Sequence, residues 1–90
     1  MDNRISDQTQ TVRVLFFAGV REAAGAAEAT FELPEPMRAS DVIDAVVHRS
    51  PAVKPLRGSL LVAVDECYAR RTDVVPAGAV VALFPPVSGG

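Results

Sequence analysis

The residues with most to offer a reaction are the last six of the sequence, Pro85-Pro86-Val87-Ser88-Gly89-Gly90. Two prolines cannot donate ladder hydrogen bonds, so a strand running into them must stop and the chain must leave on an extended path. Glycines at 89 and 90 remove every side chain from the tip, and no Cβ stands beside the Gly90 carboxylate. Such a tip is thin enough to thread a narrow channel. The same composition also describes a frayed chain end, because termini often finish in small residues. Residue types alone leave both readings open.

Other candidates for chemistry are few. His48, the single histidine, falls at the end of a helical pattern, where an imidazolium is a partner for the helix dipole rather than a catalyst. Cys67 is the one cysteine; alone it forms no internal disulfide and no cysteine metal site. Gly19 and Gly25 are too far apart for a dinucleotide or phosphate loop. Asp65-Glu66 reads as a charged turn, and Arg70-Arg71 as a solvated pair able to dock an acidic partner. The chain therefore carries no catalytic constellation of its own.

The elements that must present the tail can be read from periodicity. Polar residues 1–10 form a disordered leader, a domain covers residues 11–84, and residues 85–90 are an extended tail. Val12, Val14 and Phe16 alternate with Arg13, Leu15 and Phe17, both sets turning apolar, which predicts a central strand covered on both faces. Gly19 ends it, and Val20 to Ala24 make one helical turn stopped by Gly25. Ala29, Phe31 and Leu33 alternate with Glu28, Thr30 and Glu32 as a half-solvated strand ended by Pro34 and Pro36. Ser40 is the expected N-cap of a helix whose Val42, Ile43, Val46 and Val47 face a sheet, closed before Pro51. After a loop through Lys54, Pro55 and Gly58, Leu60 to Val64 is a buried strand. Cys67 to Ala69 forms a short return strand. Asp73 to Gly78 is a turn, and Ala79 to Phe84 the last strand. The order β-β-α-β-(β)-β, with the most apolar strands first and last, predicts an α+β, β-grasp (ubiquitin-like) domain. It would have a mixed sheet of four to five strands with one main helix on one face.

Composition narrows the class. At 90 residues and 49% hydrophobic, the chain fits one small domain. Nine basic against eleven acidic residues give a net charge of −2, with no basic face for nucleic acid. No apolar run reaches the ~20 residues of a membrane span, and the N-terminus lacks a signal-peptide core. A cytoplasmic protein is expected.

Residues 12–90 resemble the MoaD-type sulfur carriers, the small-subunit family of molybdopterin synthase within the wider ThiS group. Val14 to Gly25 (VLFFAGVREAAG) look like that family's opening strand and turn, and Leu83 to Gly90 (LFPPVSGG) like its closing signature. The resemblance implies that a separate adenylating enzyme uses ATP to activate Gly90. A persulfide then converts the acyl-adenylate to a thiocarboxylate. Pro85, Pro86, Val87, Ser88 and Gly89 would insert into a catalytic large subunit, where sulfur passes to cyclic pyranopterin monophosphate (precursor Z) to build the molybdopterin dithiolene. It implies a non-catalytic sulfur-donor subunit with no resident cofactor, in a heterotetramer of two small and two large chains. Phe17, Arg21, Tyr68 and Phe84 match family positions that face the large subunit or the adenylating enzyme. As residues alone, Phe17 and Phe84 equally suit ordinary core packing, and Arg21 a solvated charge beside Glu22.

The sequence departs from the family in three places. An acidic turn before the last strand is replaced by Ala77-Gly78-Ala79-Val80, the usual Asn after the third strand is Asp65, and the ten-residue leader is extra. Rival readings are a thiamin-type sulfur carrier, a ubiquitin-like modifier conjugated through Gly90, and a plain β-grasp binding module. The single lysine, Lys54, restricts conjugation of the chain to itself.

Overall fold

A computed structural model describes residues 9–86; residues 1–8 of the expected leader and Val87, Ser88, Gly89 and Gly90 of the expected tail lie outside that range. The main sheet has the order β2-β1-β7-β4-β5, built from β1 (Thr9–Phe16), β2 (Glu28–Pro34), β4 (Leu61–Val64), β5 (Cys67–Ala69) and β7 (Val80–Phe84). The first and last strands lie side by side at its centre, parallel, with Val14 opposite Val81 and Phe16 opposite Leu83. β2 flanks β1 and β4 flanks β7, both antiparallel. This mixed sheet with helices is the α+β β-grasp arrangement.

The core forms where one set of alternating side chains meets the helices. Val12, Val14, Phe16, Phe31, Val62, Val81 and Leu83 pack against Val20 of α1 (Ala18–Ala24) and Val42, Ile43 and Val46 of α2 (Ala39–Arg49). At ~25 cal/mol per Å² of apolar surface removed from water, this burial is the main force holding the sheet to the helices.

Several local expectations are corrected. The first strand already includes Thr9 and Gln10, ahead of the expected start at Thr11, because the backbone ladder pairs Thr9 with Pro34 and Gln10 with Leu33, and ladder hydrogen bonds do not require apolar side chains. Gln10 Nε2 also donates to the Val75 carbonyl at 3.1 Å. Gly19 lies within α1, and Gly25 ends that helix at φ +75°, its N–H donating to Arg21 O; only glycine enters this left-handed region without strain. α2 starts at Ala39, with Arg38 and not Ser40 in the capping position. The Asp41 carboxylate accepts from Arg38 N–H at 2.9 Å, near the positive end of the helix dipole. The loop through Lys54 and Gly58 is a 3₁₀ segment (Pro51–Ser59) that buries Val53. Within the expected turn at 73–78, β6 (Val74–Val75) pairs with β3 (Met37–Arg38) as a second, two-stranded sheet. The last strand starts at Val80 rather than Ala79, because Ala79 N–H turns back to Pro76 O at 3.1 Å behind Gly78 at φ +81°. Among the described residues no helix is long and apolar enough to cross a membrane.

One correction bears directly on function. The apolar residues on both faces of β1 and β7 predict cover on both sides, yet the helices of this chain cover only one. Among the described residues no element covers the other face.

Candidate functional site

The open face is organised by register. Leu15 stands opposite Ala82, Ala82 opposite Ala63, and Ala63 opposite Tyr68, giving one row across β1, β7, β4 and β5. Alanines at the centre and larger side chains at the margins make a shallow trough, lined also by Phe17, Val80 and Phe84. At its head, Phe17 and Phe84 stack with ring centroids 5.2 Å apart and planes 17° from parallel. Tyr68 tilts against Phe84 at 6.1 Å. Stacked and tilted aromatic pairs contribute ~0.5–1.5 kcal/mol beyond their buried area. Even so, Phe17 remains 42% and Tyr68 75% exposed. Large aromatics held in mutual contact but left wet mark a surface built to be covered.

Phe17 holds its place because its N–H donates to Leu83 O at 3.2 Å and its carbonyl accepts from Val20 and Arg21 N–H at the start of α1. Phe84 is the last residue of β7, with Pro85 and Pro86 directly after it. The aromatic head therefore sits where the chain leaves the sheet. Three of the four partner-facing residues named from the sequence, Phe17, Tyr68 and Phe84, come together here. Arg21 does not; it is exposed on α1 and lines no part of the trough.

Charge frames the trough. Arg13 pairs with Glu28 at 2.8 Å, and the hydrogen bond from its guanidinium holds the Glu28 carboxyl below its ordinary range, while Glu28 raises the Arg13 value. Across the sheet, Asp65 and Glu66 form the two-residue tip between β4 and β5 with φ +49° and +73°, the double positive φ of a type I′ turn. Asp65 ties this tip to β7: its N–H donates to Val80 O at 2.8 Å and its Oδ1 accepts from Val80 N–H at 2.9 Å. The floor residues Leu15, Ala63, Val80 and Ala82 were not named from the sequence. Their signal was present as the second apolar set of β1 and β7, which reads as buried within the chain.

Among the described residues the trough is lined by no cysteine, histidine, serine or glycine-rich loop; its carboxylates, Asp65 and Glu66, belong to the turn at its margin, and Cys67 is exposed outside the lining. Chemically it can bind, and it can position whatever follows Phe84.

Comparison with known proteins gives a family. The chain matches the ThiS family over residues 14–90. It is 35% identical to the molybdopterin synthase sulfur carrier subunit of Chlamydomonas reinhardtii, over 88% of this chain and 98% of that protein. Among solved structures it is similar to the small archaeal modifier protein 1 of Haloferax volcanii, with a TM-score of 0.79 at 26% identity over 87% of this chain and 99% of that one. A protein-protein complex of subunits 1 and 2 of the molybdopterin-converting factor from Helicobacter pylori includes a chain of the same fold. That chain has a TM-score of 0.63 and 20% identity, over 90% of this chain and 100% of that one.

Proposed function

The chain belongs to the ThiS family, and we propose that it is the sulfur-carrier subunit of a molybdopterin synthase, delivering sulfur through Gly90. The observation that carries this reading is the placement of the aromatic trough. A binding face without catalytic groups lies at the root of the segment Pro85-Pro86-Val87-Ser88-Gly89-Gly90, so docking a partner on the face directs that segment into the partner. The names of the relatives support the carrier role.

In this proposal the chemistry runs in three transfers. A Gly90 carboxylate oxygen attacks the α-phosphorus of ATP on an adenylating enzyme and releases pyrophosphate. The terminal sulfur of a persulfide then attacks the acyl carbon and expels AMP; reduction of the resulting acyl disulfide by a thiol leaves a thiocarboxylate. On the large subunit that sulfur attacks a carbon of the pyranopterin substrate and displaces an oxygen substituent from it; water then cleaves the resulting thioester, leaving the sulfur on the pterin and returning the Gly90 carboxylate. Two carriers build one dithiolene, consistent with a heterotetramer of two small and two large chains. The residues of this chain contribute binding and reach: Phe17, Tyr68 and Phe84 on the face, the prolines for stiffness, the glycines for an unhindered acyl group.

A second reading has a specific observation behind it, the likeness to an archaeal modifier protein. There the activated Gly90 would pass to an amine and form an amide. One experiment separates the two. Intact mass spectrometry after incubation with the adenylating enzyme, ATP and a persulfide donor should show a single oxygen-for-sulfur exchange on the C-terminal fragment. Conjugates on lysines of other proteins without that exchange would overturn the carrier reading.

A further inference from the structure

Beyond Tyr68 the surface changes character. Tyr68 lines the aromatic trough on one side and, on the other, a second concavity formed with Leu60, Leu61, Arg70 and Arg71. Arg71 also lines the next hollow, with Lys54, Arg57 and Ser40. Three cations, Lys54, Arg70 and Arg71, are thus gathered along one side of a chain whose net charge is −2. Among the described residues the ion pairs are Arg13–Glu28 and Arg57–Asp44, and neither draws on these three.

The local carboxylates are already engaged. Asp73 accepts from Arg70 N–H at 2.8 Å, Asp41 from Arg38 N–H, and Asp44 pairs with Arg57. The segment carrying the arginines is fixed in place: Arg71 and Asp73 carbonyls accept from Ser40 and Ala39 N–H at 2.9 Å each, and Arg71 Nη2 donates to Leu60 O at 2.9 Å. Leu60 immediately precedes Leu61, the residue opposite Phe84. Arg71 is therefore held beside the strand position that faces the end of β7, with Arg70 in the same concavity and Lys54 in the adjoining one.

We propose that Arg70, Arg71 and Lys54 extend the docking face past Tyr68 and receive a carboxylate-bearing segment of the large subunit, the same partner that covers the aromatic trough. This rests on the carrier reading above. Two features select the occupant: the charge complementarity for carboxylates of guanidinium groups that form no ion pair among the described residues, Arg71 being held in place by Leu60 O, and the continuity of this surface with the trough through Tyr68. Arg70 is a docking and specificity residue here, not a catalytic one. By steering, it acts mainly on the rate of association and on its salt dependence.

The test uses the full chain and the purified cognate large subunit, with binding measured across a salt series. Arg70→Glu should weaken binding about tenfold at ~0.05 M salt and less than about threefold at ~0.5 M, where screening removes the difference. Its melting temperature should match wild type, since Asp73 contacts only its backbone. Arg71→Gln should flatten the salt dependence in the same direction. Phe84→Ala keeps the outcomes apart. If Phe84→Ala abolishes binding while Arg70→Glu and Arg71→Gln bind like wild type at low salt, this inference falls and the carrier reading stands. If Phe84→Ala binds normally, the face does not dock the large subunit and the carrier reading itself is at fault. A loss confined to the adenylating enzyme would also overturn the assignment of the partner.

Discussion

Leu83 and Phe84 are neighbours on one strand, and their truncation should have opposite consequences. Leu83 is fully buried in the core, whereas Phe84 lies on the open face against Phe17 and Tyr68. Leu83→Ala removes core volume where the surroundings cannot fully collapse, a loss of ~2–5 kcal/mol. Since 1 kcal/mol shifts the melting temperature of a domain this size by about 4–8 °C, the fall should be roughly 10 °C or more. Phe84→Ala removes a partly exposed ring and its stacking on Phe17, ~0.5–1.5 kcal/mol in the free chain. In the complex the same ring becomes fully buried, and its loss should cost ~1.5–3 kcal/mol, or about ten- to hundredfold in Kd. The assay is thermal melting of both variants beside their affinity for the large subunit, measured at a temperature where both are folded. Leu83→Ala should melt early and bind almost normally; Phe84→Ala should lose only about 2–12 °C, the smaller fall of the two, and bind poorly. Equal affinity of Phe84→Ala and wild type would refute the docking role of the open face. A Phe84→Ala melting loss as large as that of Leu83→Ala would refute the assignment of the two residues to different faces.

Two further outcomes follow from local geometry. Glu66→Gly should raise stability by about 0.5–1 kcal/mol in urea unfolding, because a side chain at φ +73° is strained in the left-handed region and glycine relieves more than it loses in unfolded-chain entropy. Glu28 titrates below its ordinary range because of its hydrogen bond from Arg13, so its stabilisation is present above the unfolded carboxylate pKa and disappears as pH falls through the lower folded value. Glu28→Gln should accordingly show a shallower loss of melting temperature on acidification than wild type, with the two curves converging at the acid end. Both members are exposed, so the difference should be small and vanish in high salt.

Much of this protein is legible in the order of its residues. The alternation of Ala29, Phe31 and Leu33 with Glu28, Thr30 and Glu32 specifies β2 and its buried face, because a strand repeats every two residues and has one wet side. The α2 stripe of Val42, Ile43 and Val46 follows from the helical period in the same way. The Pro-Pro and Gly-Gly of the last six residues state their chemical possibilities without any fold. Helix and strand boundaries were less legible: α2 begins at Ala39 because Asp41 accepts from Arg38 N–H and because the Arg71 and Asp73 carbonyls, more than thirty positions away, accept from its first two N–H groups. Tertiary structure alone decided which of the two apolar sets on β1 and β7 is core. Val14, Phe16, Val81 and Leu83 meet the helices, whereas Leu15, Ala82 and Phe84 line the opposite face, where among the described residues no helix covers them. Hydrophobicity records only that a side chain is removed from water; whether its own helices or another protein does the removing depends on which face the connections cross.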